Sequence, residues 1–583
     1  MAPPEAIYRF GPFELRSRTR ELFKQGTRLK IRPQPFRVLQ ALIERPGEVI
    51  PREELRRLLW DEETFVDFEH GLNTAVKELR SLLNDSAREP RFIETLPKLG
   101  YRVIVPVSAE VPPSNESRKE KTAGRAASVA VLPFANLSAD PENEFFADGI
   151  TEDVITHLAK IKSLKVISRT SVMAFKKRDR ELREIGERLG ATTLLEGSVR
   201  RAGGRVRIVA QLINCASDEH LWAETYDRDL TDIFAIQSDV ALKIANALRL
   251  ELSHEERARV GRPPTDNVVA YEIYSRGRSW FHQFTEEGYR RSLIDYHIAV
   301  NSDPGFALAW ASIAGAHTEL CISGAAGASP EENILLAKKA AARALEIDEE
   351  LGEAHGISAL IQFVFDYDWA GAERSFLRAL ELRPGNAQAH QHYGWLLSSR
   401  ERYDDALREL RRARELDPIV IPTDVVTHLL RAGRFDEGLE EARKAAREQP
   451  GTPRCHSVLG WALIFRGDEG AGIASLERAV ALSPGATLFL SQLGQACALT
   501  GDVKRARQIL DEMRDRSTRE FISPYHFAYV HAGLGEADAA IDYLEQAFER
   551  RSGAIYGIKG SFLFRSLRGH PRFESLLRRM NLS

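Results

Sequence analysis

A repeated interval of 34 residues runs through the C-terminal half of the chain, and it constrains the fold more than any other feature. Antiparallel helices approach closely only where small residues meet, and a proline after the second helix ends that helix. A single-core bundle has no reason to keep one interval for so long, so the interval predicts stacked helix pairs, an all-α solenoid over residues 265–552. The positions that keep it include Gly438, Gly472, Ala506 and Ala540; Gly460, Gly494 and Ala528; Pro384 and Pro418; Pro450 and Pro484.

This pattern of small residues and prolines resembles the tetratricopeptide repeat (TPR). The resemblance implies a groove that binds protein partners, and it predicts a polar end cap because stacked repeats bury apolar faces only against neighbours. We expect residues 553–583 to form that cap, with one apolar stripe that includes Phe573 and Met580. The residues expected where helices cross are Gly394, Ala406, Gly460, Gly494, Ala506 and Ala540.

Residues 5–106 read as short strands, three helices and a terminal hairpin. The third helix is expected over 68–83, with its leucines and Val76 at helical spacing and therefore facing the core. That geometry turns Asn73, Lys77 and Arg80 outward together. The hairpin is expected to pair residues 92–96 with 101–105.

This domain resembles the OmpR/PhoB-type winged helix-turn-helix, through its initial strands, Leu79-Arg80 and Gly100-Tyr101-Arg102. The resemblance implies double-stranded DNA as partner, with the third helix in the major groove and the wing in the minor groove. Asparagine suits adenine, while lysine and arginine suit guanine or phosphate. Glu69 and Glu78 dilute the positive field, so a homodimer on DNA is one way to reach useful affinity. The implied contact residues are Asn73, Thr74, Lys77 and Arg80 on the helix, and Lys98 and Arg102 on the wing.

The remaining segments are a linker and a middle domain. Residues 107–127 are polar and rich in proline and serine, which predicts a flexible linker. Residues 128–254 mix strands and helices, and Gly203-Gly204 signals a hairpin. Val131-Leu-Pro-Phe, Phe146-Ala-Asp-Gly-Ile and Trp222-Ala-Glu-Thr-Tyr resemble the TolB N-terminal-like α/β domain, which implies a module that binds a ligand or a protein.

No sequence pattern indicates catalysis. Phosphate-loop, nucleophile-elbow and His-Glu-x-x-His motifs are absent from the sequence, so we expect no enzyme activity, no cofactor and no metal. The four cysteines form no Cys-x-x-Cys pair, and no stretch is apolar enough to span a membrane. These features favour a cytoplasmic protein with reduced thiols.

The sequence thus predicts a multidomain, sequence-specific transcriptional regulator of bacterial type. In it, a winged helix selects DNA, while the repeats and the middle domain bind a protein or a signal. The alternative is a TPR scaffold in which the winged helix binds protein instead of DNA. A basic face on the third helix and wing would favour the regulator, and a neutral or apolar face would favour the scaffold.

Overall fold

The computed structural model divides the chain into two compact units, residues 1–126 and 127–583. The residues that the structure describes are 7–16, 21–24, 27–59, 68–97, 99–110, 127–138, 140, 143–177, 180–322, 330–419, 422–551 and 555–582.

The N-terminal unit packs three helices between two small sheets. Leu39, Leu55 and Leu79, one from each helix, are fully buried, and the apolar spacing of each helix sets which face turns inward. The elements are β1 Ile7–Phe10, β2 Phe13–Arg16, β3 Glu21–Lys24, β4 Thr27–Leu29, α1 Pro33–Glu44, β5 Ile50–Pro51, α2 Arg52–Leu59, α3 Phe68–Leu83, β6 Ile93–Leu96, β7 Gly100–Val103 and β8 Val107–Glu110. The predicted winged-helix order of elements is confirmed.

The predicted linker was wrong at its start, because residues 107–110 form a strand. β8 pairs antiparallel with β1, with Val107 opposite Phe10, and completes a five-stranded sheet in the order β4-β3-β2-β1-β8. Val107 also packs against the core of this unit. The polar composition of the segment hid this strand, which gains its stability from the backbone groups of β1. Residues 111–126 lie outside the described residues.

The middle segment forms a mixed six-stranded sheet with helices packed on it. The order is β11-β9-β12-β13-β14, with β9 parallel to both neighbours and β10 pairing with β12. The predicted hairpin across Gly203-Gly204 is confirmed, since Ala202 pairs with Arg205. The elements are β9 Ala127–Val131, β10 Ala135–Asn136, α4 Glu144–Leu158, β11 Leu164–Val166, α5 Arg169–Met173, α6 Leu182–Leu189, β12 Thr193–Ala202, β13 Arg205–Asn214, β14 His220–Asp229, α7 Ile233–Ala247 and α8 His254–Gly261.

The helical region consists, over the described residues, of eight antiparallel helix pairs. Where helices cross closely, glycine lies against the neighbouring helix: a Cβ on Gly460 would meet Leu476 at 2.7 Å, and one on Gly394 would meet Leu410 at 2.6 Å. The helices are α9 Val268–Phe281, α10 Glu286–Ser302, α11 Ala307–Ile322, α12 Pro330–Ile347, α13 Gly352–Ile361, α14 Trp369–Leu382, α15 Ala387–Ser399, α16 Tyr403–Leu416, α17 Pro422–Arg431, α18 Phe435–Glu448, α19 Pro453–Phe465, α20 Glu469–Leu482, α21 Thr487–Leu499, α22 Val503–Ser517, α23 Pro524–Gly533 and α24 Ala537–Glu549.

The other predicted crossing residues also lie between helices. A Cβ on Gly494 would meet Ile509 at 3.0 Å, and Ala406, Ala506 and Ala540 are fully buried. Packing at such positions leaves no room for a larger side chain, which is why small residues recur there.

The middle domain docks against the helix pairs instead of standing apart. The backbone N–H of Ser168 donates to the carbonyl of Leu416 at 2.7 Å, and the hydroxyls of Thr170 and Ser171 donate to the carboxylate of Asp417. At the other end, the N–H of Gly385 donates to the carbonyl of Ala159 at 3.1 Å. Residues 127–583 therefore form one compact unit.

The C-terminal segment does not lie only at the end of the array as a cap. It contains short 3-10 turns, Ile555–Gly557 and Phe562–Leu567, and α25 Pro571–Arg579. The ring of Phe562 lies 5.7 Å from that of Trp461 in α19, and Phe564 stacks on Tyr529 of α23 at 5.2 Å. The predicted apolar stripe is buried, as expected, with Phe573 and Met580 fully buried, and α25 packs against α24, where Arg572 pairs with Asp542 at 2.6 Å.

This segment crosses the first helices of several successive pairs and also contacts α14, the second helix of its pair. The ring of Tyr556 lies 6.4 Å from Trp395 of α15, the side chain of Gln495 in α21 donates to the carbonyl of Leu563 at 2.5 Å, and Trp369 of α14 donates its indole N–H to the carbonyl of Met580 at 2.9 Å. First helices line the groove of a repeat array. The chain's own C-terminal segment thus fills the groove from α15 to α23, where the sequence had predicted a protein partner. The 34-residue interval could not show this, because the segment has no repeat of its own.

Over the described residues, no helix is both long and apolar enough to cross a membrane.

Candidate nucleic-acid interface

Helix α3 presents one buried face and one exposed face. Leu72, Val76 and Leu79 are at most 2% exposed, which fixes the rotation of the helix about its axis. Asn73, Thr74 and Lys77 are consequently exposed. The structure thus brings these three predicted contact residues onto one surface of α3.

Asn73 is held by a hydrogen-bond network that the sequence did not predict. Its Oδ1 accepts from Nη2 of Arg52 at 2.6 Å and from the hydroxyl of Tyr101 at 3.1 Å. Arginine has no acceptor atom, so the oxygen of the amide must face Arg52. A bidentate pair with adenine needs both the oxygen and the nitrogen of the amide. Asn73 therefore has its Nδ2 group left to donate to a base or a phosphate.

Arg80 also joins the helix to the wing, which the sequence did not predict. Its Nη2 donates to the carbonyl of Ile93 at 3.0 Å and to Oγ1 of Thr95 at 2.8 Å, and the side chain is partly buried. These bonds join α3 to strand β6. The spacing of residues 73, 77 and 80 placed Arg80 outward correctly, but spacing could not show that β6 lies within reach of its guanidinium.

The wing carries fewer free charges than its sequence suggests. Nε of Arg102 donates to Oε2 of Glu94 at 2.6 Å across the β6–β7 pair. Leu99 is 63% exposed, and Gly100 follows it where a Cβ would meet the carbonyl oxygen of Ile50 at 2.0 Å. Glycine at this position lets β7 approach β5. Lys98, the other predicted wing residue, lies outside the described residues.

Arg52 is the functional candidate that sequence reasoning missed. It lies at the start of α2, its Nη1 donates to the hydroxyl of Tyr101 at 2.8 Å, and its guanidinium lies 5.1 Å from the ring centre of Tyr101. Its position next to Asn73 arises from tertiary contact, since 21 residues separate them. Elsewhere on α3, Glu78 pairs with Arg32 at 3.1 Å. Because Arg32 compensates its negative charge, Glu78 weakens the positive field beside Lys77 less than expected.

Comparison with known protein families agrees with this geometry. Residues 26–103 match the model of the C-terminal domain of transcriptional regulatory proteins. Residues 367–418, 426–487, 457–519 and 525–553 match tetratricopeptide repeat models. The chain combines an OmpR/PhoB-type winged helix with tetratricopeptide repeats. The TolB-like resemblance of the middle domain has no matching family model among these.

Three bacterial relatives match parts of the chain. A protein named "Putative adenylate cyclase 3" from Rhizobium meliloti is 40% identical over 44% of this chain. The cholera toxin homolog transcriptional activator of Vibrio parahaemolyticus is 41% identical over 14% of the chain, and the transcriptional regulator HilA of Salmonella typhimurium is 22% identical over 68%. The chain spans 42%, 28% and 68% of the length of these relatives, respectively.

Proposed function

We propose that this protein is a sequence-specific DNA-binding transcriptional regulator. The observation that carries the proposal is the exposed face of α3, where Asn73, Thr74 and Lys77 lie side by side within a winged helix. Helix α3 enters the major groove in this proposal, and Lys77 supplies a positive charge for a phosphate or a guanine. Arg52 is a positioning residue, since it holds the oxygen of Asn73 and leaves the amide nitrogen to donate.

The experiment is to map chromosomal binding sites of the full chain and then measure its affinity for a recovered site across a salt series. A Lys77–phosphate contact predicts that Lys77→Ala weakens binding to all sequences alike and lowers the salt slope by about one. Lys30→Ala is the matched control, because Lys30 is an exposed lysine outside α3 and the wing. Salt-insensitive binding, or equal effects of the two variants, would contradict the proposal.

The variant Asn73→Ala tests whether Asn73 contributes to recognition of the DNA sequence. If its Nδ2 donates to a base, Asn73→Ala costs about 1–3 kcal/mol on the recovered site and little on random DNA. Because Oδ1 is occupied, the base edge it meets is an acceptor such as N7 or O6 of guanine. Binding to variants of the recovered site with single base substitutions identifies the base that Asn73 contacts. If the affinity lost in Asn73→Ala depends only on an adenine that pairs with both the oxygen and the nitrogen of the amide, the assignment is refuted.

One observation favours the scaffold as a second candidate. Leu99 is an exposed apolar side chain at the wing, and Arg102 beside it is paired with Glu94. A wing of this kind suits a protein surface as well as a minor groove. If Lys77→Ala loses DNA binding and Leu99→Ser keeps it, the regulator is favoured. If Lys77→Ala keeps DNA binding and Leu99→Ser loses binding of a protein partner, the scaffold is favoured.

The finer assignments belong to the same proposal. The middle domain is a TolB-like binding module, the protein is not an enzyme, and a homodimer on DNA supplies affinity beyond that of one winged helix. Its domains are 5–110, which β8 extends beyond the predicted end at 106, then 127–254 and 265–552, followed by the segment 553–583; residues 111–126 connect the first two domains. Because the C-terminal segment fills the groove from α15 to α23, recognition of a protein partner uses repeat surfaces outside that stretch.

A further inference from the structure

One stretch of the groove stays open where the middle domain meets the first helix pairs. A cleft of about 400 Å³ lies between the middle domain, at α4 and the start of α5, and the first helices of the pairs, from α9 to α15. Cavities of roughly 300–1,000 Å³ hold small molecules. The C-terminal segment does not line this cleft.

Buried, paired charges form one side of the cleft. The carboxylate of Glu152 lies 3.1 Å from His282, 3.2 Å from Nε of Arg169 and 3.8 Å from Arg278, which in turn pairs with Asp153 at 2.7 Å. Burial alone would raise the pKa of Glu152, but Arg278, His282 and Arg169 together hold it well below its usual range. The Glu152 carboxylate is therefore held ionised by its neighbours, whereas burial lowers the pKa of His282 and raises that of Asp153.

Two arginines of the cleft keep donors that this network does not use. Within the described part of the chain, Arg169 makes no hydrogen bond through Nη1 or Nη2, although its side chain is only 14% exposed. Nη1 of Arg383 donates to Glu353, while its Nη2 has no partner among the described residues. Among the described residues, Nε of Arg169 and Nε of Arg383 are buried without a hydrogen-bond partner, whereas the unpaired Nη groups are not fully buried and so remain accessible to a ligand.

The opposite wall is small and apolar. Ala311, Gly315, Gly356 and Ile357 line it, and a Cβ on Gly315 would meet only Ile357, at 3.6 Å. The lining carries equal numbers of arginines and carboxylates and so has no surplus positive charge. These charged residues are Arg169, Arg278, Arg383, Glu152, Glu353 and Asp417.

We propose that this cleft binds a small organic monocarboxylate with an apolar body. The carboxylate takes the open fork of Arg169, a geometry in which guanidinium donates two parallel hydrogen bonds. The apolar body lies along the glycine and alanine wall. Because the arginines and carboxylates of the lining are equal in number, the cleft favours a ligand with one negative charge over a phosphate group, which carries two. The ligand then bridges the middle domain and the repeats, since Arg169 belongs to the first and the wall to the second. This site is independent of the proposed DNA binding.

The test is calorimetric titration of the full chain with benzoate and hexanoate, each beside its neutral amide, and with inorganic phosphate. We expect at least one carboxylate to bind, its amide to bind at least tenfold more weakly, and phosphate not to bind. Arg169→Gln should lower the carboxylate affinity at least tenfold, and Arg169→Lys should lower it less. Arg183→Gln, at an exposed arginine of α6, is the matched control and should change nothing.

A second variant keeps the test decisive if Arg169→Gln fails to fold. Gly315→Leu places a side chain into the cleft away from the charge network, and it should abolish binding of both carboxylates. Absence of binding by every probe to the folded wild-type chain would overturn the proposal. So would equal binding of acid and amide, tighter binding of phosphate, or unchanged affinity in folded Arg169→Gln or Gly315→Leu.

Discussion

Replacing Phe564 by alanine tests whether the C-terminal segment is a permanent part of the repeat core. The ring is 1% exposed, stacks on Tyr529 at 5.2 Å with an interplanar angle of 10°, and meets Tyr525 edge-on at 5.4 Å. Truncation of a buried phenylalanine costs about 3–5 kcal/mol. The two ring contacts place Phe564 at the upper part of that range, since each adds about 0.5–1.5 kcal/mol beyond area burial.

Hydrogen exchange of the full chain measures this cost locally. If the segment is part of the core, Phe564→Ala should lower the free energy of opening of α23 and of the helices next to it, together with that of residues 555–582. If the segment only rests in the groove, exchange should accelerate in residues 555–582 alone. The comparison therefore separates a core element from a detachable one.

Arg565→Ala is the matched control for this experiment. Arg565 is adjacent in sequence but exposed, so its replacement should change the free energy of opening by no more than about 0.5 kcal/mol. A loss below about 1 kcal/mol in Phe564→Ala, or equal losses in the two variants, would refute the assignment of the segment to the core.

Three further substitutions probe the other units. Gly460→Leu should overpack a helix crossing and cost about 1–3 kcal/mol in urea denaturation, whereas Gly470→Ala, in open space, should be nearly neutral; equal costs would refute the crossing. Arg80→Ala should destabilise the N-terminal unit by about 1.5–3 kcal/mol, because the hydrogen bonds to Ile93 and Thr95 are lost; unchanged stability would return Arg80 to a purely DNA-facing role. Burial lowers the pKa of His157 to about 3, so the unfolded chain takes up a proton at this residue near pH 6.5 and the folded chain does not; this costs the second unit about 2 kcal/mol of stability at pH 5. His157→Gln should reduce the loss of stability between pH 7 and pH 5 by that amount, while His392, His428 and His526, whose pKa values burial lowers to about 4, keep the remaining pH dependence; an equal loss in the wild type and the variant would refute the assignment.

The sequence predicted the helix pairs and the winged helix because both depend on local patterns. Gly460 and Gly494 keep the repeat interval, and Leu72 and Val76 fix the inward face of α3. Such patterns arise from helix geometry alone, so one sequence is enough to read them. The strand β14 escaped the prediction because most of its residues are exposed and no alternation of apolar and polar residues marks it.

For the candidate DNA contacts, too, the sequence predicted what depends on local helix geometry and missed what depends on long-range contacts. Asn73 and Lys77 were predicted to be exposed and are exposed, since the rotation of α3 decides this. The partners of Asn73 and Arg80 depend on which strand and helix lie within about 3 Å, and those contacts join residues 13 to 28 positions apart. No local pattern encodes such a distance, which is why Arg52 was missed and the contacts of Arg80 with the wing were not predicted.

The C-terminal segment changes what the repeats can do. A helix pair exposes its first helix to the groove, and an empty groove from α15 to α23 would expose the aromatic rings of Trp395, Trp461 and Tyr525. A large apolar surface of that kind favours association with other chains. Tyr556, Phe562 and Phe564 cover these rings from within the same chain. The repeats from α15 to α23 therefore bind a segment of their own chain, whereas the cleft between the middle domain and the helices α9 to α15 is not lined by that segment.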